Sequence, residues 1–394
     1  MLLFAIATIT PFLLIFLGCF AGGVWGWLAL AYITVLVFLL DRLIALQMGN
    51  ADPEAEFPAA NQLLKTLGAL HFLLLGCVIW AVAGGSGLSV GERASVALSA
   101  ALVFGQISHP VAHELIHQPS RGMRRLGRWI YTSILFGHHA SAHVRVHHVH
   151  VGSQKDPNSA RWGEGFYRFL IRAWPGGFAE GLKAENRLRR HAPAALLNHP
   201  YTLYVAGAIA TGLLALVLAG WPGLSTLIFL SLYGQIQVFL SDYVQHYGLR
   251  RASLADGTLE PVGPQHSWNA AHWYSAAMTL NAPRHSDHHM TPSRPYPALQ
   301  LRPGDMPTLP HSLPVMAVMA LVPPLWRKVM DPLCNQWRAA PEARSISPAK
   351  SAHAKAGGFA DEDLPDSPHE QNNRDSTVPS DQQPGGDGPG ADER

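Results

Sequence analysis

The chain has 394 residues, 48% of them apolar, and sets 29 Lys and Arg against 27 Asp and Glu for a formal net charge of +2. So balanced a charge leaves no electrostatic footprint for nucleic acid, and no nucleic-acid partner is expected. Three scattered cysteines, Cys19, Cys77 and Cys334, form no CxxC pair, which excludes a disulfide framework and a thiolate metal centre and leaves packing as their role.

A mean hydropathy of +0.08 is that of an ordinary soluble protein only because two opposite materials are averaged. In chain order, six apolar stretches run over Leu2–Phe20, Val24–Leu40, Leu64–Val82, Val96–Ala112, Tyr201–Leu218 and Leu224–Leu240. Each approaches the ~20 residues that cross a ~30 Å hydrocarbon core. In lipid such a segment satisfies its backbone only as a helix or in a closed barrel, and continuous Leu- and Ala-rich runs choose the helix. The first stretch has no basic residues before it and is too long for a signal-peptide core. A second follows after a turn of Gly22, Gly23, Trp25 and Gly26, so Leu2–Leu40 reads as a transmembrane hairpin.

Between the fourth and fifth stretches lie Arg121, Arg124, Arg125, Arg128, Arg145, Arg168, Arg172, Lys183 and Arg187, whereas Ala21–Gly23 and Ala219–Gly223 carry no Lys or Arg. The positive-inside rule then puts the basic segment and both termini in the cytoplasm. The fold class predicted is an all-α integral membrane protein with six transmembrane helices, its membrane domain spanning residues 1–338. From about Ala339 the chain turns Pro/Gly/Ser/Asp-rich, and residues 339–394 are expected to form a disordered polar tail.

Nine histidines fall into four clusters at or just beyond the ends of apolar stretches. HELIH ends the fourth and offers His113 and His117, four apart and on one helix face. HVRVHH offers His143 and His147, one turn apart, with His148 adjacent. SDYVQHYGL offers His246, and RHSDHH offers His285, His288 and His289 at i, i+3 and i+4. Histidines gather at membrane interfaces, which would explain any one cluster but not four on one side. Nine imidazoles exceed what one ion can take, and they predict two metal ions at the cytoplasmic face of a membrane. Glu114 and Asp287 are the candidate catalytic carboxylates beside them. HExxH is also the zinc-protease pattern with Glu as base. Three protein ligands are usual for catalytic zinc, so that reading leaves most of the histidines without a purpose. His109, His138, His139 and His150 stay outside the ligand set, Pro110 being expected to disturb the register between His109 and His113.

HELIH, HxxxHH, YxxHYGL, RHSDHH and the intervening DPNSAR (Asp156–Arg161) together resemble the integral-membrane alkane hydroxylase family. That family is related to xylene monooxygenases and, more distantly, to membrane fatty-acid desaturases. The likeness covers roughly residues 1–330 and is most specific where RHSDHH is followed by RPYPALQL. It implies six transmembrane helices, two iron ions held by the nine histidines, and electrons from rubredoxin and its reductase. It also implies O2 and an apolar alkane-like substrate, hydroxylated at its terminal methyl to a primary alcohol in a bacterial-type inner membrane. The chain departs from the family at Ala142 and Val146, where Glu and Gly are usual, and at Asp242 and Gln245, where Asn and Glu are usual. Some members carry a fused rubredoxin with paired CxxC motifs; none occurs here, so a separate donor is expected. The alternatives are a hydroxylase of aryl-methyl or terpene substrates, a lipid desaturase, and a non-catalytic metal transporter. A transporter would place its ligands near the bilayer midplane.

Overall fold

The apolar runs form helices whose outer faces stay apolar, with side chains such as Leu13, Leu73, Ile209 and Val217 among the most exposed. A helix apolar all round needs lipid or protein on every side. The structure, a computed structural model, describes residues 1–44, 46–190 and 198–338, so the tail expected over 339–394 lies outside the described residues. Among the described residues the chain is helical, with only isolated bridges in place of strands.

Helix α1 (Leu2–Ala21) turns through Gly22 and Gly23, both at φ near +60°, into α2 (Trp25–Leu43). Only glycine adopts that conformation without strain. Then come α3 (Pro58–Gly85) and α4 (Val90–Ile116). The start of α4 is a capping box, Ser89 Oγ accepting from Glu92 N–H and the Glu92 carboxylate accepting from Ser89 N–H. The same carboxylate accepts from Gly23 N–H, tying the α1–α2 turn to α4.

Pro110 does not break the register between His109 and His113; the disturbance falls before it. Residues Phe104–Ser108 widen into a π turn, and regular α-helix resumes at His109. A proline has no N–H to donate and its ring collides with the carbonyl four residues back, and the wider turn relieves both.

Helix α5 (Arg121–Ser133) folds back on α4 so closely that a Cβ at Gly127 would lie 2.8 Å from the Ala112 carbonyl. Helix α6 (139–150) and α7 (Phe166–Leu188) follow. The next element, α8 (Pro200–His246), has 47 residues but reverses at Ala219 and Gly220, whose backbone leaves helical geometry. A straight helix would separate residues 215 and 223 by about 12 Å. Here a Cβ on Gly223 would sit 2.5 Å from the Ala215 carbonyl, so 200–218 and 221–246 are two antiparallel arms. Among the described residues five helices are long and apolar enough to cross a membrane, and the fifth is this hairpin, its arms matching the last two apolar stretches. Helices α9 (Trp273–Met278), α10 (His285–Met290), α11 (Leu313–Ala320) and α12 (Pro323–Arg338) complete the described chain.

Replacing Gly223 with Val overfills the α8 reversal and is expected to cost about 1–3 kcal/mol. Thermal unfolding in detergent should show a lower midpoint than for a Val at Gly76 of α3, where a Cβ would meet nothing within 4 Å; equal midpoints would contradict the tight reversal.

Candidate metal centre

Two groups of imidazoles meet where α4 and the second arm of α8 end. His113, His117, His143, His148 and His288 form one group, and His147, His246, His285 and His289 the other. All but His148 are buried. The rings of His148 and His289, one from each group, lie 4.5 Å apart, so the groups adjoin.

The partition departs from sequence spacing in α6. His143 and His147, one α-turn apart by sequence spacing, belong to different groups. Residues His143–His147 form a π turn, in which His148 N–H reaches the His143 carbonyl five residues back. The wider turn brings His143 and His148 onto one face, their Nε2 atoms 2.9 Å apart, and sends His147 to the other group. α10 divides likewise. His285 and His289 join His246, with Nε2 atoms 3.0 Å apart in each pairing with His285, while His288 Nε2 lies 3.2 Å from His148 Nε2.

These separations test whether a metal fits. Bonds of about 2.1 Å meeting near right angles put neighbouring nitrogens about 3.0 Å apart. A hydrogen-bond network explains them poorly, since one Nε2 has either one proton or one lone pair and His148 Nε2 and His285 Nε2 each face two others. His117 has neither ring nitrogen partnered, and His147 Nε2 is likewise buried and unpartnered. Burial pushes His117 and His285 down to about 3, and burial with neighbouring imidazoles holds His143, His148, His288 and His289 well below the ordinary value. Neutral imidazoles with converging lone pairs are what a transition metal takes. The residues fit two ions.

His147 differs. Burial disfavours its charge, but Asp156 beside it outweighs burial and holds the imidazole above its ordinary value. Burial would likewise raise the Asp156 carboxyl, and His147 with nearby hydrogen bonds keeps it low. His147 Nδ1 lies 2.8 Å from Asp156 Oδ2, which also accepts from Ser159 Oγ, while Oδ1 accepts from Asn158 N–H. A proton on Nδ1 leaves the Nε2 lone pair aimed at the second group. Sequence reasoning did not assign Asp156 a role; the DPNSAR segment containing it was the available signal.

Glu114 and Asp287 are buried but belong to neither group. Glu114 Oε2 accepts from Tyr296 N–H at 3.2 Å. Asp287 pairs with Arg294 and accepts from Gln300 N–H at 2.9 Å, bracing α10 from behind. Of the histidines set aside, His109 pairs with the Tyr131 hydroxyl and His139 stacks on Phe136 with ring centres 4.7 Å apart.

A cavity of about 650 Å³ lies between α2, α4, α8 and α11 and reaches His113 and His143 of one group and His285 of the other. Its size suits a small ligand. Leu30, Ile33, Phe38, Leu98, Leu102 and Val318 supply apolar wall. The α11 wall was not legible as a membrane element because eight residues are too few to span. Asp242 and Gln245 also line the cavity. Asp242 Oδ2 accepts from Asn158 Nδ2 at 2.6 Å, and Gln245 Nε2 donates to the Ala282 carbonyl at 3.0 Å, a bond that an ionised carboxylate could not make.

Removing the Asp156 carboxylate charge, as in Asp156→Asn, should weaken metal retention about 10–100-fold. Metal content after a timed chelator challenge measures this, and wild-type retention would contradict the bracing role.

Comparison with known proteins agrees with this geometry. The sequence profile described as fatty acid desaturase matches residues 93–317. Alkane 1-monooxygenase 2 of Pseudomonas aeruginosa is 32% identical over 83% of this chain and 88% of its own length. Alkane 1-monooxygenase of Pseudomonas putida is 32% identical over 83% of each chain. The xylene/toluene monooxygenase hydroxylase component of Pseudomonas putida is 29% identical over 86% of this chain and 91% of its own. With its apolar helices and paired histidine groups, the chain is a multi-pass membrane oxygenase that belongs to the alkane 1-monooxygenase family, within the wider fatty acid desaturase group.

Proposed function

We propose that the chain hydroxylates the terminal methyl of medium- and long-chain alkanes, R–CH3 + O2 + 2e⁻ + 2H⁺ giving R–CH2OH + H2O. The observation that carries this reading is the apolar cavity that ends on ligands of both histidine groups. A methyl group has no acidic proton and no polar handle, so acid–base catalysis has nothing to act on. Two iron ions, when bound, supply the reducing and O2-splitting chemistry that redox-inert zinc lacks.

The chain's residues do the rest. His113, His117, His143, His148 and His288 hold one ion, and His147, His246, His285 and His289 the other. Asp156 holds His147 in the tautomer that ligates. Asp287, through Arg294, and Glu114, through the Tyr296 backbone, keep α10 and α4 in register rather than touching substrate. Leu30, Ile33, Phe38 and Leu98 exclude water and align the chain of the substrate.

The reading includes six membrane spans, both arms of α8 counted, in a bacterial inner membrane with both termini and all nine ligands on the cytoplasmic side. The charge asymmetry of the connecting segments supports that orientation. Electrons come from a rubredoxin served by its reductase, the donor that the resemblance to the alkane hydroxylase family implies. Similarity to the xylene/toluene component supports a second reading, hydroxylation of aryl-methyl or terpene substrates. A lipid desaturase is the remaining rival.

Purified protein should contain about two irons per chain and consume O2 with a reduced donor. Zinc, or no metal, would overturn the reading. His285→Ala should abolish turnover and remove part of the iron, since His285 both ligates and faces the cavity. Cells expressing the protein and fed alkanes, toluene, limonene and fatty acids should give terminal alcohols by gas chromatography. Alkenes without alcohols would favour desaturation.

A further inference from the structure

One wall of the cavity is polar. Tyr233, Gln237, Ser241 and Gln245 are spaced four apart on the second arm of α8, and all four line it. Residues at that spacing share a face, so they form one strip running about 18 Å along the helix from the third histidine box. Gln106 of α4 meets the strip from the side, its Nε2 donating to Gln237 Oε1 at 3.3 Å. The Gln106 Oε1 has no partner, and no described residue pairs with the Tyr233 hydroxyl.

Gln237 Nε2 donates to the Ala101 carbonyl, Ser241 Oγ to Gln245 Oε1 and Gln245 Nε2 to the Ala282 carbonyl, so these three are paired within the protein. A plain hydrocarbon offers the two remaining groups, Gln106 Oε1 and the Tyr233 hydroxyl, nothing. Within a bilayer there is no bulk water to pair them, and each unpartnered polar group carries a cost. The strip therefore suits a ligand that is apolar along most of its length and hydrogen-bonding at one place. Position says which place. Gln106 precedes His113 by seven residues, about 10 Å along α4, and Tyr233 precedes His246 by thirteen, about 20 Å along α8. A substrate hydroxyl paired there belongs to the end remote from the carbon at the metal ligands.

We propose that this cavity selects an oxygenated hydrocarbon, a chain bearing a hydroxyl at the end opposite the methyl being oxidised, and that Tyr233 and Gln106 read that hydroxyl. This rests on the terminal-methyl hydroxylase reading above and moves its preferred substrate from the plain alkane to a primary alcohol of similar length. The chemistry balances as for an alkane. A primary alcohol, O2, two electrons and two protons give the α,ω-diol and water, one C–H bond of the far methyl being broken and one C–O bond formed. The donor protein supplies the electrons.

The test offers iron-loaded enzyme, with reduced rubredoxin, equal amounts of decyl alcohol and n-undecane, which have the same number of heavy atoms. A net hydrogen bond predicts a kcat/KM about three- to tenfold higher for the alcohol, with the α,ω-diol as product. Tyr233→Phe and Gln106→Leu should bring that ratio towards one through KM rather than kcat, with iron content retained as the sign of an intact fold. Equal or better use of n-undecane by the wild type would overturn the proposal. So would decanal as the product, because it places the hydroxyl at the metals, or a ratio unchanged in both variants. Should a variant lose its iron, the wild-type ratio and product decide alone. If neither compound gains oxygen, the hydroxylase reading fails and this inference with it.

Discussion

Imidazole lone pairs must converge on common points, and that requirement governs the cytoplasm-facing end proposed for this protein. Nine rings come from four segments, at the ends of α4 and α8 and along α6 and α10, and reach Nε2 separations near 3 Å. Neutral rings are needed, and burial supplies neutrality by penalising the charged form, except at His147, where Asp156 outweighs it. Burial also leaves nitrogens such as those of His117 without partners. A metal that accepts the lone pairs offsets that cost, which couples metal binding to the stability of the fold.

The second constraint is backbone pitch. Of two π turns, Phe104–Ser108 precedes the centre on α4 and His143–His147 lies within it on α6. The first absorbs Pro110 so that α4 arrives at His113 and His117 as regular helix. The second rotates His148 into the group of His143 and His147 into the group of His285. A regular α-helix through α6 would put His143 and His147 on one face and leave the second group with three histidines. Asp156 then holds His147 where the turn has sent it. Ligand partition is thus a property of helix pitch, not of spacing alone.

Lipid on the outside and a lined cavity within explain why the chain is apolar in both directions. The outer faces carry large exposed aliphatic side chains, while the inner space reaches His113, His143 and His285. Asp242 and Gln245 modify that inner wall. At residue 245 an amide both donates to the Ala282 carbonyl and accepts from Ser241 Oγ, and the nearby carboxylate, Asp242, is braced by Asn158. The Asp156–Arg161 segment therefore braces both His147 of the histidine centre and the cavity wall.

Much of this was legible in the residues alone. Apolar length marks a membrane helix because lipid forces the backbone to bond within itself, and the α8 reversal falls between the last two apolar stretches at Ala219 and Gly220. Histidines at helical spacing mark a metal centre because few other arrangements gather so many imidazoles. Spacing could not say which histidines share an ion: four and five residues are both one turn, and only the local pitch distinguishes them. Nor could it show that Asp156 faces His147, that Asp287 faces Arg294, or that an eight-residue helix after Ser312 closes a cavity. Those depend on contacts between segments far apart in the chain. Local pattern determined that there are membrane helices and a histidine-rich centre; packing decided how the ligands divide and what lines the way to them.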